Sequence, residues 1–176
     1  MKTLYLLRHA KSSWKKAALD DFDRPLNQRG RRAALAMGVF LLEQNIAPAQ
    51  VLCSPAKRTR ETLERVQRRL SFALPVRFEQ GIYLADPTTL LQRLQRLSES
   101  LASVMIIGHN PGLEMLARTL VCGGDDDARG RLARKFPTGA LAILSAEIES
   151  WHDLTPGCAS LDAFIVAKDL DETPSP

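Results

Sequence analysis

Two short apolar runs, Thr3–Leu7 (TLYLL) and Val104–Ile107 (VMII), constrain this chain more than any other feature. Neither alternates regularly between apolar and polar residues, as a half-buried strand does. A run without alternation is a strand covered on both faces, the pattern of a parallel sheet. Val51–Cys53 and Pro75–Phe78 read as further short strands, and Ala140–Ile148 and Leu161–Val166 as two more. Between them lie segments of helical period. Asn27 can cap a helix running to about Gln44, with Ala33, Met37, Phe40 and Leu41 on one face. Ser54-Pro55 reads as an N-cap followed by a first-turn proline, ahead of Leu63, Val66 and Leu70. Asp86-Pro87 opens a helix with the stripe Leu90, Leu94, Leu97 and Leu101. Asn110-Pro111 repeats the cap-and-proline pattern ahead of Leu113, Leu116, Ala117 and Leu120, and Gly123-Gly124 ends that helix. A short basic helix covers Arg129–Lys135. Strand alternating with helix predicts an α/β fold: a three-layer sandwich with a mostly parallel central sheet and helices on both faces.

With 176 residues and no internal linker or repeat, the chain is expected to form one domain over residues 1–168. Residues 169–176 form an acidic, proline-containing tail that is expected to fray. A composition of 45% hydrophobic and 25% charged residues excludes general disorder. The balance of 24 basic and 20 acidic residues, a net charge of +4, mildly favours anionic partners. Without a dense basic stripe, and with only 6% aromatic residues, nucleic acid is not an expected partner. Cys53, Cys122 and Cys158 are dispersed and form no CxxC pair, which fits a reducing, cytoplasmic setting. The apolar run at the N-terminus is too short for a signal peptide, and no stretch reaches the roughly 18 apolar residues of a membrane span. No membrane partner is expected. P-loop and GxGxxG motifs are absent, so nothing supports nucleotide cofactors.

Chemistry concentrates where strands end. His9 follows the first strand and His109 follows VMIIG, and ligands in open α/β sheets bind beyond the carboxyl ends of the strands. Arg8 adjoins His9. Arg58 falls in the first turn of a helix that itself follows a strand, where a cation opposes the helix dipole. A local rule broken without compensation marks a candidate site. Two imidazoles, two guanidiniums and two helix N-termini at one sheet edge make an anion pocket. Arginine matches phosphate oxygens in a bidentate way, backbone N–H groups add to it, and a neutral imidazole can attack phosphorus. Such a site needs no metal. Asp125, Asp126 and Asp127 have no His or Glu at ligand spacing and read as a solvated turn. Arg29, Arg31 and Arg32 read as an exposed helix face, His152 as a surface loop residue, and Ser54 as a cap only.

RHAKSSW after the first strand, SPAKRTRET in the middle and GHNPGLE before a helix resemble the histidine phosphatase (phosphoglycerate-mutase-like) superfamily. Within it, the RHAKS start, RPLNQRG, GHNPG and FPTGAL are similar to the SixA-type phosphohistidine phosphatases, over about Lys2 to Lys168. The resemblance implies that His9 is the nucleophile and that Arg8, Arg58 and His109 complete the phosphate pocket. Ala10 stands where most members have glycine. For the general acid, Glu79 in RFEQGIY is the nearest match to the family pattern, and Asp21 is the competitor. The short stretch from Phe72 to Pro87 leaves no room for a capping insertion, so the site should be shallow. That favours a signalling phosphatase acting on a phosphohistidine-bearing partner protein without cofactor or metal. A phosphatase for sugar or nucleotide phosphates and a non-catalytic phosphate-binding module are the alternatives.

Overall fold

Inside the apolar runs a period-two alternation decides how the layers assemble. The computed structural model describes residues 1–15 and 18–170, so most of the expected tail, from 171 onward, lies outside the described residues. Seven strands, β1 (Lys2–Arg8), β2 (Gln50–Cys53), β3 (Val76–Phe78), β4 (Ser103–Gly108), β5 (Val121–Gly124), β6 (Leu141–Ala146) and β7 (Ala159–Ile165), form one sheet. Their order is β3-β2-β4-β1-β6-β7-β5. The β1–β4, β2–β4, β2–β3 and β5–β7 pairs are parallel, whereas β6 runs antiparallel to both β1 and β7.

Val104 and Ile106 of β4 join Leu4, Leu6 and Leu52 in one core, while Met105 and Ile107 join Leu7, Val51 and Cys53 in the other. The first core is closed by α3 (Pro87–Gln95), α4 (Gly112–Leu120) and α5 (Asp126–Arg134), through Leu90, Leu94, Leu113, Leu116, Leu120 and Leu132. The second is closed by α1 (Gln28–Glu43) and α2 (Lys57–Gln67), through Met37, Leu41, Leu63 and Val66. A short α6 (Ala167–Leu170) packs on α1, so Asp169 and Leu170 of the expected tail are helical. The expected three-layer sandwich is present.

Local chemistry explains the boundaries. Asn27 accepts from the Gly30 N–H and Asp86 from Thr88 and Thr89, as their cap positions require. Five expectations are corrected. Helix α2 starts two residues later than Ser54-Pro55 implies, with Ala56 as its N-cap. Helix α4 starts at Gly112, and Asn110 provides no cap; its amide donates instead to Glu114 and to the Phe136 carbonyl. Helix α3 stops at Gln95, so Leu97 and Leu101 pack on the core from beyond its end. Gly123-Gly124 is no helix stop but part of β5, and Asp125 is no free turn: it caps α5 by accepting from Ala128.

Close approach places Gly112. A Cβ there would stand 1.9 Å from the Ala85 carbonyl oxygen. Gly112→Ala is therefore expected to cost about 1–3 kcal/mol of overpacking. The check is urea unfolding, where the midpoint should fall at constant slope; an unchanged midpoint would contradict the close contact.

Candidate active site

Strand order brings the sequence-distant residues together. Parallel pairing sets Arg8 of β1 opposite Gly108 of β4, so His9 and His109 leave the sheet at the same level. Their ring centroids are 5.2 Å apart. On the other side of β4, β2 ends at Cys53, Ser54 follows, and the first turn of α2 delivers Arg58. Arg8, His9, Arg58 and His109 line one cleft of about 330 Å³, together with Lys11, Ser12, Trp14, Asp21, Arg24, Leu84, Asn110 and Thr138. That volume is at the low end for ligand sites. The positive φ of Gly139 lets its N–H reach both the Arg8 and the His9 carbonyls, which ties the loop carrying Thr138 to the end of β1.

His9 is 8% exposed, and its Nδ1 lies 2.8 Å from the Ala10 carbonyl oxygen. A carbonyl only accepts, so Nδ1 carries the proton and Nε2 keeps the free lone pair. Burial, helped by the charges of Arg58, Arg8 and Arg24, pulls the His9 pKa down to about 4 against the Ala10 bond. Burial and the proximity of His9 and Arg58 likewise bring His109 down to about 3. Both imidazoles are neutral at pH 7. His109 Nε2 is 2.8 Å from the hydroxyl of fully buried Ser54.

Arg58 is 3% exposed and donates through Nη1 to the Asp21 backbone carbonyl (2.5 Å) and through Nη2 to its carboxylate (2.9 Å). The same carboxylate receives Arg24 Nη1 and the Tyr83 hydroxyl. Desolvation raises the Asp21 pKa, but the hydrogen bonds from Tyr83, Arg24 and Arg58 outweigh it and lower it to about 2. Asp21 is thus an ionised anchor in a network of arginines. Arg8 uses Nη1 on the Phe136 carbonyl.

Of the two carboxylates weighed as general acid, Asp21 lines the cleft and Glu79 does not. Both oxygens of Glu79 are taken by Arg93, each at 2.7 Å. Among the described residues, no group of three or more His, Cys, Asp or Glu is placed to hold a metal ion, and no helix is long and apolar enough to cross a membrane.

Residues 4–83 match the model of the histidine phosphatase superfamily, branch 1. The chain is also 35% identical over 164 residues to the uncharacterized protein Rv1276c of Mycobacterium tuberculosis, covering 92% of this chain and 100% of that one. The chain belongs to the histidine phosphatase superfamily. Two solved structures agree with it over nearly their whole lengths. One, from Nakamurella multipartitia, is 30% identical with a TM-score of 0.80, covering 94% of this chain and 95% of that one. The other, from Agrobacterium tumefaciens, is 28% identical with a TM-score of 0.79, covering 94% and 97%. Both bear a provisional assignment as phosphohistidine phosphatase SixA.

Three residues of this histidine phosphatase site escaped the sequence reading. Arg24 carries no local signal beyond its place in RPLNQRG. Ser54 was explained as a cap, yet its hydroxyl meets His109. Tyr83 closes the RFEQGIY segment that pointed to Glu79, yet it is the Tyr83 hydroxyl that reaches the site, through Asp21.

Proposed function

We propose that this histidine phosphatase hydrolyses phosphohistidine on a partner protein through a phosphohistidine intermediate at His9. The supporting observation is the state of His9: buried, neutral, its Nδ1–H given to Ala10, and its Nε2 lone pair unspent beside Arg8 and Arg58. The Nε2 lone pair attacks phosphorus in line with the leaving nitrogen. A phosphoimidazole protonated on its other ring nitrogen departs as neutral imidazole, its P–N electron pair staying on the departing nitrogen. His9 becomes the corresponding N-phosphorylated imidazolium, with its Nδ1–H still donating to the Ala10 carbonyl. Water then attacks phosphorus, the P–Nε2 pair returns to Nε2, and both water protons leave in dihydrogen phosphate. Arg8, Arg58 and His109 hold the equatorial oxygens, where charge is concentrated.

Because the phosphoryl group passes between two like imidazoles, no protein acid is required. This suits a cleft whose lining carboxylate, Asp21, is ionised. An alkoxide would need that missing proton. A cleft of about 330 Å³ encloses little of a free metabolite and favours a side chain held out by another protein. The provisional assignment of the two structural relatives points the same way. Phosphate release is to be compared for a phosphohistidine protein, p-nitrophenyl phosphate, phosphoserine, sugar phosphates and nucleotides. The first two should lead by a wide margin; a sugar phosphate or nucleotide as best substrate would replace this reading with the small-molecule one. Arginines supply the positive charge, so dialysis against a strong chelator should leave the rate intact.

Two further results are expected. Protonation removes the nucleophile as pH falls through the His9 pKa of about 4. With p-nitrophenyl phosphate, corrected for substrate ionisation, kcat/KM should therefore hold down to about pH 5 and break near 4; a break at the ordinary histidine value of about 6.5 would contradict it. Ser54→Ala removes the partner of His109 Nε2 and should lower kcat by up to about tenfold, the equivalent of one buried hydrogen bond. An unchanged kcat would show that His109 is positioned without Ser54.

A further inference from the structure

Two apolar side chains break local rules at the mouth of the cleft. Trp14 is 74% exposed yet lines it. Leu84 also lines it, is 52% exposed, and sits at φ +50°, a left-handed conformation that a leucine adopts only under constraint. Neither is a loose end. The Arg24 guanidinium carbon lies 3.2 Å from the Trp14 ring centroid. Arg24 is fixed in turn by Ser12 Oγ, the Ser13 carbonyl and Asp21. Leu84 follows Tyr83, whose hydroxyl donates to Asp21 and whose ring meets His109 edge-on at 5.4 Å. Both rim residues are thus anchored to the carboxylate that holds Arg58. One face of the indole is clamped on a cation, so it presents a fixed surface at little entropic cost.

In-line displacement dictates what passes between them. With the phosphoryl group among Arg8, Arg58 and His109 and with His9 attacking from the floor, the leaving group must point outward through the mouth. Building on the phosphohistidine reading above, we propose that Trp14 and Leu84 form an apolar clamp on the leaving group, selecting a flat ring, the imidazole of phosphohistidine, over a leaving group of equal lability without one. An indole supplies the stacking surface, and Leu84, which lines the same cleft, supplies a second apolar wall. Exposed apolar surface at the rim is then covered only while substrate is bound.

The test compares two P–N substrates, phosphoimidazole, which releases imidazole, and phosphoramidate, which releases ammonia; their intrinsic difference in lability cancels when each variant's ratio is set against that of wild type. In Trp14→Ala the ratio of their kcat/KM values should fall about tenfold, mostly through the KM of phosphoimidazole. Trp14→Phe should restore most of it. Leu84→Gly, which relieves the positive φ and should leave the protein no less stable, is expected to lower the same ratio about threefold. An unchanged ratio in Trp14→Ala and Leu84→Gly, with wild type turning over both substrates, would overturn the clamp while leaving the phosphohistidine reading intact. Failure of the wild type to hydrolyse phosphoimidazole while it dephosphorylates a phosphohistidine protein would also overturn the clamp, and failure on both would overturn the phosphohistidine reading itself.

Discussion

His9→Ala is expected to abolish turnover and phosphoenzyme together, with a loss of roughly 10⁴-fold or more in kcat, since no other group in the cleft can take over a nucleophile acting within a unit. The fold should survive, because among the described residues the only hydrogen bond of the His9 side chain goes to the carbonyl of its own neighbour, Ala10. Its acid stability should improve. The pKa values of His9 and His109 are depressed to about 4 and about 3, so between those values and about 6.5 the unfolded chain binds protons that the folded chain refuses. Each histidine therefore destabilises the protein as pH falls through that window. Relative to wild type, His9→Ala should gain in unfolding midpoint at pH 5 compared with pH 8. Residual activity within about a hundredfold of wild type would mean that another group attacks phosphorus.

Loss of Arg58 carries the second large effect. Arg58→Ala removes a cation from the phosphoryl group and also leaves the Asp21 carboxylate facing it with one arginine fewer. Losing one preorganised charge of this kind costs about 10²–10³ in rate, and the exposed repulsion should place kcat/KM at the upper end of that loss. Arg58→Lys should rescue little, since an ammonium cannot reproduce the two-pronged hold on Asp21. Asp21→Asn, which leaves Arg58 in place but loosens it, should cost only about tenfold, and the double variant Asp21→Asn with Arg58→Ala should be far from additive. A loss of less than about fivefold for Arg58→Ala would remove it from the phosphate pocket.

The sheet and the four central residues were legible because their causes are local. VMII carries no polar residue to expose and TLYLL only Thr3 and the Tyr5 hydroxyl, so both strands read as central, and residues just past two adjacent parallel strands meet. Asn27 and Asp86 cap their helices through bonds to residues two and three positions on. What stayed hidden depends on contacts far apart in sequence. Ser54 before proline satisfies cap chemistry, but the chain runs on to Ala56 and the hydroxyl turns to a histidine 55 positions away. Gly123 and Gly124 look like a helix stop, yet pairing with β7 makes a strand of them, and a Cβ on Gly124 would strike the Leu161 carbonyl oxygen at 2.2 Å. Leu97 and Leu101 keep helical spacing and core contact after the helix itself has ended. Glu79 has the right place in the motif, but Arg93 claims both of its oxygens. Tyr83 meets Asp21 from 62 positions away, which no spacing rule anticipates, and the i,i+3 spacing of Asp21 and Arg24 gives no sign that the same carboxylate also holds Arg58.

Trapping the intermediate tests the central claim most directly. Enzyme mixed with a phosphohistidine-bearing protein or p-nitrophenyl phosphate is quenched in base during turnover, and the modified residue is mapped by mass spectrometry. A base-stable, acid-labile phosphoryl group on His9, absent from His9→Ala, is the expected result. A phosphoryl group on any other side chain, or full turnover with no phosphoenzyme at any time after mixing, would contradict it.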